Sequence, residues 1–70
     1  MRDDIKQGEK IFLEGDIDEA ERYFQNLISR NPQDVEALNN LGVIHYARGN
    51  GDAAERCFLE ALRLDDTHGE

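Results

Sequence analysis

Residues 15–24 read GDIDEAERYF and residues 49–58 read GNGDAAERCF, and this echo decides the fold. Gly15 answers Gly49, Asp18 answers Asp52, Ala20-Glu21-Arg22 answers Ala54-Glu55-Arg56, and Phe24 answers Phe58. The offset is 34 residues throughout, and it also pairs Gly8 with Gly42 and Ile28 with Leu62. Self-similarity at this spacing is the mark of stacked helix pairs, each too small to bury its apolar face alone.

Working outward from the echo, each copy sits between helical patterns. Ile5, Gly8, Ile11 and Phe12 fall three or four apart and predict a helix over residues 3–14, which Gly15 ends. Asp18 is expected to cap a second helix whose buried side holds Ala20, Phe24, Leu27 and Ile28, with Tyr23 at its border. Asn31-Pro32 stops it, because the residue before a proline is pushed out of helical conformation. Asp34 caps a third helix over 35–48 with Leu38, Leu41, Gly42 and His45 on its apolar face and Ile44 beside them. After Gly49-Asn50-Gly51, Asp52 is expected to cap a fourth helix over 52–65, burying Ala54, Cys57, Phe58, Ala61 and Leu62. Loops of three or four residues force consecutive helices antiparallel. Nothing in the chain reads as a strand.

Glycine inside a helix costs roughly 1 kcal/mol relative to alanine, so Gly8 and Gly42 must be offset by close helix approach. Ala20 and Ala54 are the expected small counterparts, with Phe24 and Phe58 filling the space one turn on.

The bulk numbers narrow the function. Seventy residues make one small domain, and sixteen acids against eight bases leave a net charge of −8, spread over both halves. That balance repels phosphate backbones and argues against a nucleic-acid partner. A single cysteine, Cys57, excludes an internal disulfide. The N-terminus has no secretory core and no apolar run approaches the ~20 residues of a membrane span, so we expect a cytoplasmic chain. His45 and Cys57 lie on neighbouring helices, but two ligands do not make a zinc site, and a packed histidine and buried thiol are expected instead. The carboxylates fall at helix starts and on exposed faces, and no phosphate loop or nucleophile triad is present. We expect no catalytic residues, no metal and no cofactor.

On these residues the chain resembles the tetratricopeptide repeat family. The second unit carries the Leu41-Gly42 pair, His45 where an aromatic is usual, Gly49, and the small–large–small set Ala54, Phe58 and Ala61. The first unit matches through Gly8, Gly15, Ala20, Phe24 and Pro32. The resemblance implies an all-α fold of two antiparallel helix–turn–helix repeats, four helices stacked as a short right-handed α-solenoid. The first repeat spans residues 1–34 and the second 35–68, with 69–70 a tail or the start of a truncated third. Departures are informative. Asp4 and Gln7 stand where the family prefers an aromatic and a leucine, which suits a solvent-facing start. Leu38 replaces an aromatic, Gly51 should loosen its turn, and Asp66 in place of proline should let the fourth helix run on.

The same resemblance implies protein or peptide binding on a concave face lined by the first helix of each repeat. Its candidates are Ile5, Glu9, Phe12 and Leu13 on the first helix, and Glu36, Asn39, Asn40, Val43 and Tyr46 on the third. Family members that hold chaperone C-terminal carboxylates use a lysine and an asparagine where Ile5 and Glu9 stand; only Asn40 matches, so that ligand is rejected. Arrays need polar capping elements, and about three repeats are usual for stability. Leu59, Leu62 and Leu64 on the last helix are therefore expected to drive self-association, making the chain a homo-oligomer or part of a longer array. The competing readings are a structural self-assembly module and the N-terminal repeat region of a larger enzyme.

Overall fold

The computed structural model describes residues 2–66, so Met1 and the tail at 67–70, including the expected opening of a third unit, lie outside the described residues. Four helices follow in order: α1 (Asp3–Leu13), α2 (Ile17–Arg30), α3 (Val35–Ala47) and α4 (Gly51–Asp66). No strand occurs among the described residues. Each helix packs on the next, α3 against α4 most extensively, and α1 also touches α3. The protein is an all-α helical repeat built from two helix–turn–helix units.

The tight turns inside the two units are the same structure made twice. Gly15 and Gly49 hold φ of 91° and 80°, the left-handed region that favours glycine. Gly15 N–H donates to Phe12 C=O at 3.0 Å and Asp16 N–H to Ile11 C=O at 3.2 Å. Gly49 N–H donates to Tyr46 C=O at 3.0 Å and Asn50 N–H to His45 C=O at 2.9 Å. This paired pattern is the Schellman closure of a helix C-terminus. It also corrects the expected caps. The residue after each glycine opens the next helix directly, with Ala20 N–H donating to Asp16 C=O at 3.0 Å and Ala54 N–H to Asn50 C=O at 3.1 Å. Asp18 and Asp52 are thereby drawn into the first turns of α2 and α4. Gly51 begins α4 rather than loosening it, and α4 runs through Asp66. Between the units, Asn31 is extended as the proline requires, and Asp34 caps α3 by accepting from Ala37 N–H at 3.2 Å.

The helix glycines admit a neighbour, but not the one expected. A Cβ on Gly8 would lie 2.4 Å from Cζ of Phe24, and one on Gly42 would lie 2.6 Å from Cε1 of Phe58. The phenylalanine ring itself occupies the space a methyl would take; Ala20 and Ala54 are buried elsewhere in the packing. Phe24 is 0 % exposed, at the centre of a core with Ile5, Ala20, Ala37, Leu41 and Ile44. Its counterpart Phe58 is 38 % exposed, although the pattern assigned it to the buried side. Leu62, assigned there too, is 64 % exposed, whereas its counterpart Ile28 is half-buried on the core. The cause is a neighbour. α3 covers the first unit, and no described helix stands in that position over the second.

Candidate functional site

α1 and α3 are the first helices of the two units, and their uncommitted sides form the candidate face. On α3, Glu36, Asn39, Val43 and Tyr46 are exposed and spaced three or four apart, so they make one stripe. Tyr46 is 74 % exposed. Asn40 is half-buried and its amide donates to the Glu36 carbonyl at 2.9 Å. On α1, Glu9 is exposed and Leu13 is 82 % exposed, while Phe12 is half-buried against the core and covers the seam between helices. Ile5 is a correction: it is buried where α3 docks on α1, in one cluster with Ala37, Leu41 and Ile44. The apolar part of the face therefore narrows to Leu13, Val43 and Tyr46.

Asn39 also belongs to a second feature. With Val35, Phe58, Ala61, Leu62 and Asp65 it lines a cleft of about 270 Å³ between the start of α3 and the end of α4. Of the three leucines expected to drive self-association, Leu59 and Leu62 are exposed and Leu64 is half-buried.

Two arginines join the units. Arg2 donates to both carboxylate oxygens of Asp34 at 2.9 and 2.8 Å and to both of Asp4 at 3.2 and 2.9 Å, and reaches Glu36 at 3.3 Å. It so ties the start of α1 to the cap of α3. The Arg2 guanidinium holds the Asp34 carboxyl below its ordinary range, against burial that pushes the other way, with the Ala37 N–H assisting. Asp4 is lowered for the same first reason. Arg48, at the C-cap of α3, donates to Asp18 in the first turn of α2 and lies 3.4 Å from Glu21. That pairing lowers Asp18 and raises Arg48.

Neither arginine was assigned this role from sequence, yet a signal existed. Arg2 and Asp34 are 32 residues apart and Arg48 and Asp18 are 30, each close to one repeat period, the separation at which stacked units touch. His45 and Cys57 are both half-buried. Burial pushes the Cys57 thiol up, away from the thiolate that nucleophilic chemistry needs. Among the described residues, no three His, Cys, Asp or Glu come together to hold a metal ion.

A family model described as tetratricopeptide repeat matches residues 14–68. The chain belongs to the tetratricopeptide repeat family. The matched segment takes in α2, α3 and α4 of this tetratricopeptide repeat protein and begins just after α1, the helix in which Asp4 and Gln7 depart from the family pattern. No curated protein matches the chain. Proteins of this family generally mediate protein–protein interaction. Among the described residues, no helix is long and apolar enough to cross a membrane.

Proposed function

We infer that this tetratricopeptide repeat protein is a non-catalytic interaction module that binds a peptide or protein segment along its first helices. The observation that carries this reading is the exposed stripe of Val43 and Tyr46 on α3, continued by Leu13 on α1. Large apolar groups grouped on helices that are otherwise polar outside mark an interaction surface. Glu9, Glu36 and Asn39 rim the stripe, and with a net charge of −8 they favour an apolar segment with neutral or basic flanks. The same carboxylates disfavour a C-terminal carboxylate ligand, since Glu9 would repel it. A second reading, self-association through α4, draws on the exposed Leu59 and Leu62.

Selection of a random peptide library on the full chain supplies a ligand without naming one in advance. Tyr46→Ala should weaken the selected peptides about tenfold or more, as truncation of a buried aromatic anchor does, while Leu62→Glu leaves them unchanged. Selected peptides lost with Leu62→Glu and kept with Tyr46→Ala would overturn the reading. If Leu62→Glu instead dissolves an oligomer seen by analytical ultracentrifugation, self-association stands.

A further inference from the structure

The repeat carries a template for what its open end should hold. The 34-residue offset maps Ile5, Phe24, Leu27, Ile28 and Asn31 onto Asn39, Phe58, Ala61, Leu62 and Asp65. The second set lines the cleft at the end of α4. Of the first set, Ile5 and Phe24 are buried beneath α3, and Leu27 and Ile28 pack against the same core. The cleft is thus the counterpart of the seat that α3 fills, and its depth follows from Ala61 standing where Leu27 stands in the first unit.

The charges repeat as well. Asp18 and Glu21 on α2 receive Arg48 from the last turn of the docked helix. Their copies, Asp52 and Glu55 on α4, are exposed and pair with no other described residue. α3 runs antiparallel to α2, so an equivalent helix would bring its C-terminal end to Asp52 and Glu55. Its N-terminal end would meet Asp65, and a carboxylate there suits the positive end of the helix dipole.

We propose that the open end of α4 is a docking slot for an amphipathic helix of a partner protein, one that carries a base in its last turn. The helix repeats the stripe of α3: a small residue at the place of Ala37, large apolar residues four and seven further on, as at Leu41 and Ile44, and a base eleven further on, as at Arg48. A side chain larger than those of α3 can enter the space above Ala61. A second copy of this chain in isologous register fits the slot poorly, because it sets Asp52, Glu55 and Asp65 against themselves.

The probe is a labelled peptide of residues 34–48 with Asp34→Ser, since Asp34 relies on Arg2 and no arginine stands at the equivalent place. Titrated into the full chain at low salt, it should shift the amide resonances of Phe58, Ala61 and Leu62. Arg48→Glu in the peptide should weaken it about three- to tenfold, the effect of one exposed ion pair and its reversal. Asp52→Lys with Glu55→Lys in the protein should weaken the parent peptide and restore the reversed one. Circular dichroism confirms that this exposed double variant keeps its helices. Three results would overturn the proposal: no binding at millimolar peptide, binding that the charge swap leaves unchanged, and shifts confined to Val43 and Tyr46. Sedimentation showing a dimer that buries Leu62 would also overturn it, by giving the slot to a second copy.

Discussion

Phe24 and Phe58 are the same residue in two settings, and the difference between them is worth measuring. Each ring stands against a helix glycine, but Phe24 is fully enclosed and Phe58 keeps 38 % of its surface in water. Phe24→Ala should cost about 3–5 kcal/mol, enough to unfold much of a domain this size. Phe58→Ala should cost less, about 1–2 kcal/mol, because less apolar surface is lost from the interior. The glycines should follow their rings. Gly8→Ala drives a methyl into an immobile ring and should cost about 1–3 kcal/mol, whereas Gly42→Ala can push Phe58 toward open space. Chemical denaturation of the four variants checks the order. That glycine and phenylalanine are conjugate positions was half legible in the sequence: the glycines announced close approach, but a linear pattern cannot say which partner approaches. Ala20 and Ala54 were the wrong choice because helix crossing geometry, rather than sequence spacing, decides what meets what.

Asp34 is the residue at which stability should depend on pH. Its folded carboxyl is lowered, by Arg2 first, from an ordinary value of 3.8. A depressed carboxyl contributes stability above its unfolded value and loses it as pH falls through the folded one. Asp34→Asn should therefore lower the melting temperature at pH 7, and the gap to the parent chain should close as pH falls below about 4. A gap that stays constant to pH 2 would remove Arg2–Asp34 from the account. Sequence showed Asp34 as a cap and gave no view of Arg2, because the partner lies one repeat away rather than one turn away.

At the scale of elements, the helix ends were legible in kind and misplaced by two residues. Gly15 and Gly49 were read correctly as breakers. The Schellman closure then hands the chain to the next helix at Asp16 and Asn50, which leaves no room for the longer loop that capping by Asp18 and Asp52 assumes. This small shift has a consequence: it frees Asp18 to pair with Arg48 across the seam. Conformation and space separate cleanly at these glycines. A Cβ at Gly49 or Gly51 would meet nothing within 4 Å, but only Gly49 has positive φ. Gly49→Ala should cost about 1–2 kcal/mol of left-handed strain. Gly51→Ala, at the first position of α4, should be neutral or gain up to about 1 kcal/mol. Thermal melts of the pair decide whether the turn is held by backbone geometry.

At the scale of the molecule, a repeat offers two kinds of surface, and they follow from different residues. The echoed positions Gly15, Ala20 and Phe24, with Gly49, Ala54 and Phe58, build the stack and specify its end. The residues that differ between units, on the outer sides of α1 and α3, are free to recognise something. Ile5 shows why the two were confused in the sequence: it lies on a first helix at a groove-facing position, but the following unit closes over it, while Asn39 at the same place in the second unit stays open. The central claim is that recognition runs along the first helices. Its most direct test is an amide chemical-shift titration of the full chain with a library-selected peptide. The account predicts shifts at Leu13, Val43 and Tyr46 that spread along α1 and α3; shifts confined to α2 and α4 would contradict it.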